Sequence, residues 1–426
     1  MRIEIVNGHI IDPKNGLDQQ GSLYIADGKI VGIMQAPDGF SADTSIDAQG
    51  HIVCPGFVDL STRLREPGQS HKATMQSETK AAASAGFTSL CIPPDTSPVI
   101  DSPAVVELIE DKAERCSYPH IYPIAALTQK LAGTELSSMH ALKQAGCIAV
   151  SHGHHALQNL LVLRRAMEYA ASYDLLLIYC PQESALSNEG CAHEGAMASR
   201  YGLPGIPIAA ETIALMQCME LIEQTGCRVH FQGLSSARSV DLIAKAKVAG
   251  LPVSADVAMH QLHLTDQDMR PYDSHYHVIP PLRSQQDRDA LLVGIQNGTI
   301  DSICSDHQPH DVDAKLGAFP ETEPGISALE TVLPLMLRLV EQKTLTLAQG
   351  IEKLSSEPAQ ILGIDAGGLA LGNMADVCVF NASESWKINA ETWQSRGQNT
   401  PFWQETMHGK VTHTIQAGKI IYSTGI

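Results

Sequence analysis

Polar and apolar residues alternate in short stretches through residues 1–50, and the stretches close on turn signals: Asn7-Gly8, Asp12-Pro13, Asn15-Gly16 and Asp27-Gly28. Pairs of this kind suit hairpins and tight bends, so the opening of the chain is predicted to be β. From Ile52 to about Ile361 the pattern changes to short β-branched or apolar runs alternating with helix-length amphipathic segments, the sequence form of βα units around a parallel sheet. Eight runs qualify as strands: 52–58, 87–92, 120–125, 147–151, 175–179, 227–231, 252–256 and 301–304. The helix between the second and third starts with Ser102 as N-cap, Pro103 at the first helical position and an apolar set of Val105, Val106, Leu108 and Ile109. Another is predicted from Ser236 to Ala249, stopped by Gly250.

Eight strands separated by helices favour a (β/α)8 TIM barrel over an open doubly wound sheet, here spanning 52–364. Beyond Gly367-Gly368 the alternation is again that of strands, in Ala375–Phe380, Thr412–Ile415 and Ala417–Tyr422. The β segments on either side of the barrel predict a small discontinuous β-sandwich domain built from both termini, 1–51 with 365–426.

Charge and cysteine usage narrow the function classes. Against 29 Lys and Arg stand 47 Asp and Glu, a formal charge of -18 that repels phosphate backbones and anionic lipid, and no basic patch offsets it. Neither nucleic acid nor a membrane is expected as a partner. Residues 1–10 hold no long apolar run of a signal peptide, and no 18-residue apolar stretch occurs, so the expected compartment is the cytoplasm. The ten cysteines form no Cys-x-x-Cys pair, and several lie in apolar runs such as Ile52-Val53-Cys54, where a thiol packs as a small hydrophobe.

In a barrel, chemistry collects just after the strands, at their C-terminal ends. Those positions read Asp59-Leu60-Ser61-Thr62-Arg63-Leu64-Arg65-Glu66-Pro67-Gly68, Pro93-Pro94-Asp95-Thr96, Ser151-His152-Gly153-His154-His155, Tyr179-Cys180-Pro181-Gln182, Gln232-Gly233-Leu234-Ser235 and Ser305-Asp306-His307-Gln308-Pro309-His310. With Pro55–Asp59, Pro280-Pro281-Leu282-Arg283, the run from Pro324 to Thr331 and Asn399-Thr400-Pro401-Phe402, this order of blocks resembles the dihydroorotase and hydantoinase branch of the amidohydrolase superfamily over nearly the whole chain.

That resemblance implies a binuclear metal centre: a His-x-His pair after the first strand, a bridging carboxylate or carboxylated lysine from the fourth, histidines from the fifth and sixth, and an aspartate from the eighth. Here the His-x-His positions hold Ser61 and Arg63, the bridging position falls on Ser151 or His152, and the two later histidines are replaced by Cys180 and Gly233. Asp306 alone is retained, and an arginine brings a permanent charge to the place of the cation. No cofactor is therefore expected. The substrate-contact set is altered too: Arg65 and His310 remain, but Asp95 and Ile279 stand where the resemblance implies asparagines.

Each of these residues also has a structural reading. Asp306 is a catalytic remnant or the partner of a buried cation, the second being favoured with Arg63 as the cation; Arg65 is read as a loop anchor rather than a substrate contact. His307 and His310 belong to a polar loop, and His152, His154 and His155 are adjacent loop histidines that face different ways. Cys180, His152 and Asp306 are, in residue type, a donor set that could hold a single zinc ion. Within the family, the doubled Pro93-Pro94, the Asp59-Leu60-Ser61 junction and the run Gln308–Leu316 resemble catalytically silent dihydroorotase-like chains that pair with aspartate carbamoyltransferase. The resemblance implies an assembly subunit of that transcarbamoylase, itself a homodimer, with an active zinc-dependent cyclic-amide hydrolase as the alternative.

Overall fold

The computed structural model describes residues 1–116, 119–269 and 272–424. Five strands come first: β1 Arg2–Asp12, β2 Leu17–Ala26, β3 Lys29–Ile33, β4 Thr44–Asp47 and β5 Ile52–Pro55. The barrel follows as β6 Phe57–Asp59, β7 Phe87–Ile92, β8 His120–Ala126, β9 Ala149–Ser151 and β10 Leu176–Tyr179. A two-stranded ladder, β11 Ala192–His193 with β12 Gly205–Ile206, interrupts it before β13 Val229–Phe231, β14 Val253–Ala258 and β15 Ser302–Cys304. The chain ends in β16 Val377–Lys387, β17 Thr406–Gln416 and β18 Lys419–Ser423.

The eight barrel strands pair in sequence order from β6 to β15, and every pairing is parallel. Alternation decides which side chains fill the barrel: Leu176 and Ile178 join Val58, Cys91, Ile124 and Cys304 inside, while Leu177 and Tyr179 face the helical layer. The seam between the last and first strands closes just beyond their C-terminal ends. There Arg63 N donates to His307 O at 3.0 Å, and His307 N to Ser61 O at 3.1 Å. Closure therefore clamps together the two segments that carry Ser61, Arg63 and Asp306.

The predicted helix starts and stops are observed. The helix Ala237–Val248 is capped by the Ser236 side chain, which accepts from Ser239 N, and Gly250 beyond it takes a left-handed φ of 78°. The helix Pro103–Cys116 buries Val105, Val106 and Ile109, but Leu108, expected on the same face, points to solvent.

One expected strand is corrected. The run 52–58 is two strands, because β5 pairs with β1 and β16 in the terminal sheet whereas β6 pairs with β7 in the barrel. The switch falls at Gly56, so the terminal unit extends to Pro55 rather than stopping at residue 51. A Cβ on Gly56 would lie 2.3 Å from the Thr88 side chain, so only glycine lets the chain cross there.

The terminal strands run β18-β17-β16-β5-β1-β2-β3, with β4 added on β1. Hydrogen bonding is continuous through this order, yet Ile3, Leu23 and Ile25 share one core with Val377, Val379 and Ile415. One sheet thus curls over its own apolar face. Among the described residues no helix is long and apolar enough to cross a membrane.

Candidate functional site

Asp306 follows β15 with a φ of +46°, a left-handed conformation that aspartate tolerates better than most residues. Its carboxylate accepts from Ser61 Oγ at 3.2 Å and Gln308 Nε2 at 3.0 Å. Arg63, carried by the segment after β6, places Nη1 3.5 Å from Asp306 Oδ1 and donates from Nε to Asp95 Oδ2 at 2.9 Å. With only 6% of its side chain exposed, the guanidinium bridges two carboxylates from different βα loops. Burial opposes its charge, but Asp95 and Asp306 outweigh burial and hold its pKa above the ordinary arginine value. Asp95 is lowered in return: burial pushes it up, and the charge and hydrogen bond of Arg63 more than reverse that.

The loop after β9 brings His154 to this cluster, with Nε2 3.8 Å from Asp306 Oδ1. Burial first, then the neighbouring Arg63, depresses its pKa. His152 does not join the pair: its Nδ1 is buried without a partner, and its ring lies edge-on to His155. Burial, with the nearby His155, lowers it to about 4. Ser151 Oγ accepts from Gly153 N and holds the bend.

Cys180 points into the mouth, and its thiol donates to Gln232 Oε1 at 3.2 Å. Burial and then Asp306 push that thiol far up, so in the metal-free site it stays protonated and is not a thiolate nucleophile at neutral pH. Gly233, at φ +72°, has no side chain to offer, and its N–H donates to Asp256 Oδ1 at 2.6 Å. Asp256 also meets His230 Nε2 at 3.1 Å, one layer deeper inside the barrel. Among the described residues no three His, Cys, Asp or Glu side chains are arranged to hold a metal ion. The glycine and the guanidinium at two of the expected ligand positions do not fit the coordination of a bridged metal pair.

The family model described as Dihydro-orotase-like matches residues 50–239. A dihydroorotase-like protein of Pseudomonas aeruginosa is 47% identical over 422 residues, covering 99% of this chain and 100% of that protein. The chain belongs to the dihydroorotase-like family. A dihydroorotase of Syntrophus aciditrophicus is 40% identical over 423 residues, covering 99% of each. Among solved structures, L-hydantoinase (dihydropyrimidinase) from Arthrobacter aurescens superposes with a TM-score of 0.89 at 21% identity, over 100% of this chain and 96% of that one. Dihydropyrimidinase from Brevibacillus agri gives 0.86 at 21%, over 99% and 95%. At that identity these structures establish the shared barrel fold.

In this dihydroorotase-like barrel the other two expected site residues are tied to each other. Arg65, itself at φ +62°, donates to Pro309 O at 2.8 Å and Gln69 Oε1 at 3.1 Å and meets His310 Nε2 at 3.0 Å. The same Nε2 lies 3.0 Å from Pro324 O, so it can accept from Arg65 or donate to that carbonyl according to its tautomer, and His310 Nδ1 lies 3.6 Å from Glu323 Oε2. Burial and Arg65 push His310 down to about 2, and burial with Arg63 takes Arg65 to about 10. All three guanidinium nitrogens of Arg65 are spent on its own loops.

Beside Asp306 a narrow cleft opens, with Cys180, Gln182, Gln232, Gln261, Ile279 and Arg283 in its walls. The sequence reading did not single out Gln232, Gln261 or His260. His260 is 3% exposed, lies close enough to Asp306 to feel its charge, and is held by burial at about 4. Its position just after β14 was the available signal, because that is where barrel residues reach the mouth.

Proposed function

We propose that this dihydroorotase-like chain does not hydrolyse cyclic amides through a metal-bound hydroxide, and that it serves as a structural, homodimeric subunit in the assembly of aspartate carbamoyltransferase. The observation that carries the first half is Arg63, whose guanidinium stands between Asp95 and Asp306 at the barrel mouth. A divalent ion there would face a fixed positive charge. Bound metal lowers the pKa of water from about 16 to about 7, worth on the order of 12 kcal/mol of nucleophile activation. A positioned general base supplies about 3–5 kcal/mol, so Asp306 unaided leaves most of that barrier in place. The assembly role rests on the resemblance of the Pro93-Pro94, Asp59-Leu60-Ser61 and Gln308–Leu316 blocks to silent subunits of that enzyme.

Two measurements test the reading together: zinc content with dihydroorotate turnover, and co-purification with aspartate carbamoyltransferase from the native host. The expected result is substoichiometric zinc, no chelator-sensitive turnover and co-elution with an assembled transcarbamoylase. One or more tightly held zinc ions per chain, with turnover abolished by a chelator, would establish the rival zinc-dependent hydrolase instead. A transcarbamoylase that is fully assembled and active without this chain would remove the assembly role.

A further inference from the structure

The loop that follows His310 forms an apolar knob that nothing in the barrel's chemistry uses. Five large apolar side chains are at least 58% exposed among the described residues, and two of them, Val312 at 72% and Leu316 at 64%, share this loop and line one cleft. Two hydrogen bonds fasten the loop to Ser274, Ser274 Oγ to Lys315 O at 2.8 Å and Lys315 Nζ to Ser274 O at 3.3 Å. The two side chains line an open cleft together with Pro401 and Trp403. Isolated exposed apolar residues need no explanation, but a clustered set on a fastened loop beside a cleft marks an interaction surface.

The rim gives the sign of the partner. Asp311, Asp313 and Glu321 flank the two apolar residues, Asp273 lines the cleft, and Lys315, the cation within the loop, is buried with its amine turned to Ser274 O and Glu323 O. Two copies of a chain with a formal charge of -18 would bring like-charged rims together. A second copy is therefore a poor occupant.

We infer that the Val312–Leu316 knob is a docking surface for a protein with an apolar socket edged by lysine or arginine, and that it is the contact through which the proposed transcarbamoylase partner is held. The inference rests on the assembly reading for the partner's identity, and on exposure and charge for the surface itself. Exposed side chains can be changed without disturbing the fold, which keeps the test clean. The double variant Val312→Ser/Leu316→Ser and the charge variant Asp311→Asn/Asp313→Asn are compared with wild type for affinity to purified aspartate carbamoyltransferase of the same host. Val248→Ser, at a residue 91% exposed elsewhere, serves as control.

The double serine variant should weaken binding roughly a hundred-fold, about ten-fold for each side chain truncated, since a buried valine or leucine is worth at least about 1.5 kcal/mol. The charge variant should slow association and flatten its salt dependence, and the control should bind as wild type does. If wild type binds the transcarbamoylase and the variants bind equally well, the knob is not the contact although the assembly reading stands. If wild type does not bind it, the assembly reading fails and the knob's assignment falls with it. If the serine variant instead abolishes self-association in sedimentation, the occupant is a second copy and the basic-partner chemistry is wrong.

Discussion

Arg63 has its guanidinium nitrogens close to carboxylates of Asp95 and Asp306, which without it would face each other as like charges in a buried site. Breaking such a pair from one side typically costs about 3–5 kcal/mol, and the partial exposure of Asp95 places Arg63→Met near the lower end. Urea unfolding should show that loss, and adding Asp306→Asn to the same chain should recover part of it. An unchanged midpoint for Arg63→Met would mean that the pair holds nothing together. His260 makes a second prediction. Its folded pKa of about 4 lies below the ordinary 6.5, so the native state resists a proton that the unfolded chain accepts. Stability from keeping it neutral is intact above pH 6.5 and drains away as the pH falls towards 4, by on the order of 3 kcal/mol. Asp59, raised by burial to about 6, titrates the opposite way in an overlapping window, so the useful readout is a difference. The stability advantage of wild type over His260→Gln should shrink from pH 6.5 to 4, and a constant gap would exclude a buried neutral imidazole.

At the scale of elements, all eight barrel runs were visible as hydrophobic periodicity, and so were the Ser236 cap and the Gly250 stop. The run 52–58 read as one strand because its apolar residues are continuous, and periodicity carries no information about which sheet each half will join. Gly56 was the only local mark of the switch. Its missing Cβ accommodates Thr88, so Gly56→Ala should cost about 1–3 kcal/mol by overpacking, with Thr88→Ala in the same chain giving part of it back. A chemical-denaturation series on the two single variants and the double variant measures that coupling. Ser236→Ala, which removes the bond from Ser239 N, should cost about 1 kcal/mol in the same assay.

Across the whole molecule, the barrel and the terminal sheet are joined by more than a linker. Strand β5 lies inside the terminal sheet between β1 and β16, and one residue later the same chain opens the barrel as β6. Buried Glu78 accepts from Ser395 Oγ at 2.6 Å and Arg396 N at 3.1 Å while meeting His307 Nε2 at 2.8 Å, tying the C-terminal segment to the closing seam. Removing 365–426 would strip β16 from β5 and leave Glu78 short of partners. That truncation should fail to accumulate as a folded barrel, and the full chain should unfold in one transition by far- and near-ultraviolet circular dichroism. A soluble, cooperatively folded truncation would show the two parts to be independent.

Local order and composition are short-range properties, and what they dictate was readable without coordinates: the βα alternation, the β segments at both ends, the acidic composition, and which residue types, Ser61, Arg63, Cys180 and Gly233 among them, stand just after the strands. What the sequence left open depends on residues far apart in the chain meeting across the closed barrel. Only closure brings Arg63 to Asp95 and Asp306, turns His154 rather than His152 towards them, and sets all three guanidinium nitrogens of Arg65 against neighbouring loops. The direction of a side chain at a strand end is set by the packing of its neighbours, and periodicity along a single strand does not encode it.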